Sequence, residues 1–311
     1  MKIDLKKYRK KYTENGTAYT TNKKKNRKGV LVSWLFLSPS VIGVLTFFLV
    51  PFLIVIFYSL TQNPPVHYDF VGLDNYTSVV NNVAFHDAAV NTAIFSAIAV
   101  PLAVIIPLLL AMLLDTKIPF KSQFRSFFLT PLMVPVASVV LVWQVVFHYN
   151  GLANEIIQKF GVESIEWFDS EYAHLVILIL FLWKNIGYNM ILFIAALGSV
   201  PGELLEAASL ERCGYWRMFF SIKFRYIVST MVFVTIMSLI NSFKVFREIY
   251  LLKGAHPTSY MYMLQTFMNN KFDSLDYNTL SSAAILMSLV MVVIIGILFF
   301  AENRLGKDIE E

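Results

Sequence analysis

The sequence predicts an all-α, polytopic membrane protein of six transmembrane helices, with a short charged helix on the cytoplasmic side between the fourth and the fifth. Three observations predict it. Of 311 residues, 57% are hydrophobic and 15% charged, with a mean hydropathy of +0.60, outside the usage of water-soluble domains. Six stretches, about 30–60, 90–114, 124–147, 174–197, 226–246 and 280–301, are long and apolar enough to cross a bilayer. A hydrocarbon core about 30 Å thick needs roughly 20 helical residues, each rising about 1.5 Å. The connections between these stretches also alternate in charge, as the two sides of a membrane require.

The spans delimit a membrane domain, 30–303, between a basic tail, 1–29, and a short C-terminal tail, 304–311. In the first tail Lys2, Lys6, Lys7, Arg9, Lys10, Lys11, Lys23, Lys24, Lys25, Arg27 and Lys28 stand against Asp4 and Glu14. Beside a span, such charge sets topology and meets the anionic head groups of the lipid bilayer more simply than it would bind nucleic acid, which is not expected as a partner. The run from Val30 to Leu60 is too long for a cleaved signal and is expected to remain as an anchor. With the N-terminus inside, the second and fourth connections are also inside and carry Lys117, Lys121 and Arg125, then Arg212, Arg217, Lys223 and Arg225. The first, 61–89, has no Lys or Arg, and the third, 148–173, sets Lys159 against Glu155, Glu163, Glu166, Asp169 and Glu171. Both read as external. The fifth, about 247–279, fits less well, because Arg247, Lys253 and Lys271 fall on its outer side. Both termini are therefore expected in the cytoplasm.

The fourth connection, about 200–225, contains 206-EAASLERCGYWRMFFSIKFRYI-227. Pro201-Gly202 ends one helix, and Glu203 opens the next, where an acidic side chain complements the helix dipole. Ala207, Leu210, Cys213 and Gly214 recur at helical spacing as a small, apolar face, with Trp216, Phe219 and Phe220 beside it. Such a face suits a helix that docks in another protein's groove.

Glu206-Ala207-Ala208, then Gly214 and Ile222, resemble the coupling-loop signature of binding-protein-dependent ABC import permeases: EAA, a glycine, then Ile-x-Leu-Pro. Trp216 and Phe219 stand where the sugar branch has them. Arg212 replaces the usual Gly, Glu211 a frequent Asp, Cys213 a frequent Ala, and Phe224-Arg225 the Leu-Pro pair, so Gly214 is expected to supply the turn. The resemblance covers roughly 32–303. It takes in 33-SWLFLSPSVIGVLTFFLVPFL-53, 72-GLDNY-76, 150-NGLANEI-156, 183-WKNIGYNMILFIAAL-197 and 242-SFKVFREIYLL-252 in order. The chain is similar to the carbohydrate-uptake permeases of the maltose and multiple-sugar type.

That resemblance implies a bacterial cytoplasmic-membrane subunit of an ATP-driven importer of a sugar, an oligosaccharide. An extracellular or periplasmic binding protein delivers the cargo, a second permease completes a heterodimeric pathway, and two cytoplasmic ATPase subunits hold the ATP and Mg, leaving no cofactor in this chain. Glu206, Ala207, Ala208, Glu211, Gly214, Trp216, Phe219 and Ile222 then form the ATPase-coupling element. It must be stiff to transmit a stroke, which suits Ala207 and Ala208 as strong helix formers. Glu206 has two open readings, a pair with an ATPase cation or a contribution to the helix N-terminus.

Polar side chains inside spans are costly unless they face water or a partner. Lys184, Asn185, Tyr188 and Asn189 on the fourth span and Ser238, Asn241 and Ser242 on the fifth are candidates to line the pathway. Trp143, Trp183, Tyr188 or Phe243 would stack on sugar C–H faces. The same residue types also bond helices together, and Lys184 could snorkel outward. Pro39, Pro51, Pro101, Pro107, Pro131 and Pro135 are expected to kink spans one to three.

Catalysis has no visible basis. There is no GxxxxGK[ST] loop to hydrolyse ATP, no HExxH and no GxSxG, and His148 and His174 stand alone. The lone Cys213 can form neither an internal disulfide nor a metal site. The alternative function is a self-contained ion-coupled secondary transporter, which predicts inverted repeats and carboxylates within spans; the acidic residues here lie in the loops.

Overall fold

A computed structural model describes residues 27–62, 68–116 and 119–306. Most of the basic tail, Lys117 and residues 307–311 of the C-terminal tail lie outside the described residues. The chain divides into two units, Met1–Ile54 and Val55–Glu311. In the first, helix α1 (Arg27–Val44) leads through a π-helical turn, Leu45–Leu49, into α2 (Val50–Ser59), which crosses into the second unit. Pro51 has no N–H to offer the carbonyl four residues back, and a widened turn immediately before it is one way for a helix to absorb that loss. Trp34, Phe36 and Phe47 on this apolar rod are exposed, as befits a surface made for lipid or another subunit.

The second unit is a helix bundle. A two-residue ribbon, β1 (Thr61–Gln62) with β2 (Asp69–Phe70), is followed by α3 (Asp74–Val80) and the long α4 (Val83–Asp115). Asn82 caps α4 by accepting from the Phe85 N–H at 3.2 Å, so this helix starts earlier than the apolar run alone indicates. Along α4 the buried residues Ala88, Thr92, Phe95, Ala99 and Ala103 recur at three- and four-residue steps. The alanines let α8 (Ala173–Gly198) approach closely, the device of membrane helix interfaces. Phe95, Ile177, Leu180 and Phe181 form one core with Ile249 and Met261, and Val104, Ala111, Met190 and Phe193 form a second with Phe219 and Ile227.

The third predicted span is not one rod. It is two helices, α5 (Lys121–Met133) and α6 (Val136–Val146), meeting at 99°. Val134 is extended (φ −89°, ψ 130°), the conformation a following proline imposes, and Pro135 cannot donate into the preceding turn. By contrast α4 runs unbroken through Pro101 and Pro107. Among the described residues five continuous helical runs are thus long and apolar enough to cross a membrane, and the bent pair makes a sixth span if counted as one.

After α7 (Leu152–Gln158) and α8 come α9 (Gly202–Leu210), α10 (Tyr215–Met218), a π turn at Phe219–Lys223 and α11 (Phe224–Phe243). The fifth helical rod therefore begins at Tyr215, inside the stretch read from sequence as loop. It is followed by α12 (Phe246–Lys253), α13 (Leu264–Asp273) and α14 (Tyr277–Gly306). Ahead of α14, burial would raise the Asp276 carboxyl, but hydrogen bonds from Lys271 and Thr279 and the Lys271 charge together hold it below the ordinary carboxylate range.

Where α5 meets α8, Gly187 lies so close to the Phe128 backbone that an added Cβ would fall inside contact distance of its carbonyl oxygen. Gly187→Ala should lower stability by about 1–3 kcal/mol, read as a drop in Tm of the detergent-solubilised protein. Gly198→Ala, where nothing lies within 4 Å of the added atom, should leave Tm unchanged or slightly raised.

Candidate functional site

Two regions gather the residues singled out in the sequence. The first is the loop from α9 to α11. Pro201 (φ −58°, ψ 128°) forms the N-cap, Glu203 lies in the first turn, and Glu206 follows one turn later with no ion-pair partner among the described residues. The helix stops at Leu210. Arg212 N–H donates to the Ser209 carbonyl and Cys213 N–H to the Ala208 carbonyl, both at 3.0 Å, while Arg212 takes φ +55°. This is a Schellman closure, whose left-handed residue is usually glycine. The turn is therefore made by Arg212 and not by Gly214, which instead sits extended (φ −65°, ψ 155°) as the N-cap of α10.

The break dissolves the continuous Ala207–Leu210–Cys213–Gly214 face expected from spacing. Ala208 and Phe219 are buried, the latter within the second core, so neither is offered to a partner as a free side chain. Ile222 is half-buried. Glu206, Ala207, Leu210, Glu211, Gly214, Trp216 and Phe220 are among the exposed residues, with the Trp216 and Phe220 rings stacked at 6.3 Å. Lys223, in the π turn, pairs with Asp115 at the end of α4, Nζ to Oδ2 2.6 Å, and fixes this rod to the second span.

The second region is a cavity of about 880 Å³ bounded by α8, the end of α11, α12, Leu132 of α5 and Gln265 of α13. Lys184, Asn185, Tyr188 and Asn241 line it. Lys184 Nζ lies 2.6 Å from Glu248 Oε1, so it does not snorkel unpaired. Asn241 donates from Nδ2 to Asn185 Oδ1 at 3.0 Å, and Asn185 Nδ2 donates to the Phe181 carbonyl at 2.8 Å. Sequence reasoning missed Glu248, Lys244 and Gln265 here and considered Arg247 only for topology. The available signal was the density of charge in 244-KVFRE-248, directly after an apolar run.

Asn189, Ser238 and Ser242 lie elsewhere, each 2% exposed or less. Pro107 cannot donate to the Ala103 carbonyl four residues back, and Asn189 Nδ2 donates to that oxygen at 2.7 Å and to Ser238 Oγ at 3.0 Å. Ser242 Oγ shares a 2.8 Å hydrogen bond with Ser96 Oγ. These three join helices and do not line the cavity. Trp143 stacks on Phe147 at 5.1 Å and meets Trp183 edge-on at 6.4 Å; neither lines the polar cavity, although Trp183 borders a small pocket with Lys184 and Glu248, and Phe243 lines a separate apolar groove. The aromatic residues that line the polar cavity are Phe181, Tyr188, Phe246 and Tyr250.

A family model described as the binding-protein-dependent transport system inner membrane component matches residues 103–310. The chain belongs to that family. This permease is 30% identical over 270 residues, 84% of each chain, to the arabinooligosaccharides transport system permease protein AraP of Bacillus subtilis (strain 168). It is 27% identical over 292 residues, 93% of this chain and 98% of the relative, to the trehalose/maltose transport system permease protein MalF of Thermococcus litoralis. A chain in the crystal structure of a bacterial ABC transporter involved in the import of the acidic polysaccharide alginate superposes with a TM-score of 0.79 at 20% identity, covering 91% of this chain and 99% of the other. The permease thus has the all-α importer fold. It is a multi-pass inner-membrane transport component, not an enzyme, and self-contained ion-coupled transport is not favoured.

Two consequences are measurable. Lys184→Met leaves the Glu248 carboxylate, 6% exposed, without its cation and should cost about 3 kcal/mol, the lower end for such a change because the Lys184 side chain is 40% exposed. Adding Glu248→Gln should recover most of that loss in a denaturation series. Arg212→Gly relieves a left-handed residue at a cost in chain entropy, and should stabilise the protein by about 0.5–1 kcal/mol, visible as a raised Tm.

Proposed function

We propose that this permease is one of two transmembrane subunits of an ATP-driven oligosaccharide importer, paired with a sister permease, served by an external binding protein and driven by two cytoplasmic ATPases that hold ATP and Mg. The observation that carries the reading is the juxtaposition, in one apolar bundle, of a polar cavity on α8, α11 and α12 with an exposed, rigidly closed helix at the far end of the same rods. The relatives named for arabinooligosaccharides and for trehalose and maltose support a saccharide as cargo. The cavity chemistry agrees with that: amides meet hydroxyls, and Tyr188 and Tyr250 offer rings to C–H faces.

In this reading residues 30–303 form the membrane domain, with the tails 1–29 and 304–311 and the 200–225 loop on the cytoplasmic side. Glu206, Ala207, Glu211, Gly214, Trp216 and the neighbouring Leu210 and Phe220 make the ATPase contact; Ala208, Phe219 and Ile222 hold that surface in shape from beneath. Lys184, Asn185, Tyr188 and Asn241 meet the cargo. Closure of the ATPases moves α9, and the Lys223–Asp115 pair passes the displacement to α4.

The test is co-purification from solubilised membranes. An ATPase subunit should come down with the wild-type chain and its sister permease, and be lost with Ala207→Asp or Glu206→Lys while the two permeases stay together. If no ATPase associates with folded wild-type permeases, the importer reading fails.

A further inference from the structure

The cavity carries more positive charge than the protein cancels. Lys184, Lys244 and Arg247 line it against the single carboxylate of Glu248. Lys184 and Glu248 are closed on each other at 2.6 Å. Lys244 and Arg247 are both exposed and make no ion pair or side-chain hydrogen bond among the described residues.

Their neighbours show that this is not general on that side of the bundle. Lys253, on the same helix as Arg247, pairs with Asp169 at 2.6 Å; Lys271 pairs with Asp276 at 3.0 Å, and Lys159 with Glu155 at 3.6 Å. Of these described lysines and the two in the cavity, Lys244 alone has no carboxylate partner. Nor is orientation in the membrane a sufficient reason for the two free cations. They stand at the opposite end of α11 from the basic loop, where the positive-inside rule gives lysine and arginine no work to do. Two unpaired cations leave the cavity net positive, and a concave site of one sign draws and holds an anion.

We propose that Lys244 and Arg247 form an anion subsite and that the cargo is an acidic saccharide, a sugar bearing a carboxylate, sulfate or phosphate. The inference rests on the saccharide-import reading above. The Arg247 guanidinium can take such a group through two parallel hydrogen bonds, and the Lys244 ammonium adds a point charge. Asn241 and Gln265 are placed for hydroxyls, and Tyr188 for the ring face. The closed Lys184–Glu248 pair contributes no net charge, so the attraction comes from the two free cations alone.

The complete importer, reconstituted in proteoliposomes with its sister permease, ATPases and binding protein, is assayed for uptake of trigalacturonate, of a disaccharide phosphate and of neutral maltotriose. Wild type should accumulate one or both acidic probes and not maltotriose. Lys244→Gln with Arg247→Gln should lower acidic uptake at least tenfold, with Arg247→Lys intermediate, in complexes that elute intact on size exclusion. Acidic uptake unchanged in the double variant overturns the subsite. So does loss of the sister permease from the double variant, which would mean that the cations meet an acidic side chain of that subunit. Uptake of maltotriose alone, indifferent to these substitutions, overturns the acidic cargo while leaving the import reading standing. Uptake of no saccharide by an assembled complex removes both.

Discussion

A backbone carbonyl inside hydrocarbon must find a donor, and the arrangement of this bundle depends on how one such carbonyl is answered. Pro107 removes the amide that would have bonded Ala103, and Asn189 Nδ2 fills the gap at 2.7 Å from the neighbouring helix while also holding Ser238. One side chain thereby ties α4, α8 and α11 at the level of their second core. An amide of this kind is worth only about 0.5–2 kcal/mol in membranes, because alternatives exist in the unfolded chain. Its larger effect is on register, since Asn189 can meet the freed oxygen only when the helices are aligned as they are. Helix α4 continues unbroken through its prolines, whereas Pro135, with an extended residue before it, breaks the third span outright.

With those three helices locked, the polar cavity and the exposed loop lie on shared rods. Lys184 and Asn185 lie near the middle of α8, which ends at Gly198 a few residues before α9; Asn241 lies at the far end of the rod that starts at Tyr215. Between loop and cavity the connections are thus long helices with only short breaks at 199–201 and 211–214. The Schellman closure at Arg212 ties down the second of these breaks, and the Lys223–Asp115 pair fastens the rod to α4.

The long, strongly apolar elements were legible in the sequence, and the fourth span was read within a residue at each end, because length and hydropathy decide such helices alone. The third span was expected to kink at Pro131 or Pro135; mean hydropathy carries no trace of the single extended residue that turns the kink at Pro135 into a 99° break. Asn185 and Asn189 were indistinguishable by spacing and type. They part company only because a proline 82 residues earlier empties one carbonyl and not another, a tertiary fact. Gly214 was the natural choice for the turn, since glycine costs least at positive φ; the hydrogen bonds fall two residues earlier, on Arg212. Glu248 and Lys244 were hidden in a segment that read as the end of a span, and their place in the cavity shows only in the fold, where α12 sets Glu248 against Lys184 of α8.

The π turn at Phe219–Lys223 sets the phase of the loop. A wide turn accommodates an extra residue in the helix, and each residue of an α-helix advances the direction of its side chain by about 100°. Upstream of the turn Trp216 points outward, and across it Phe219 is buried while Phe220 is again exposed. Without that slip the two ends of the rod could not both be in phase, with the aromatic pair turned toward a partner and Val234 and Ser238 turned toward the core. The rod thus behaves as a shaft with a fixed angular offset. Its setting can be altered by inserting or deleting one residue, without changing any side chain at either end.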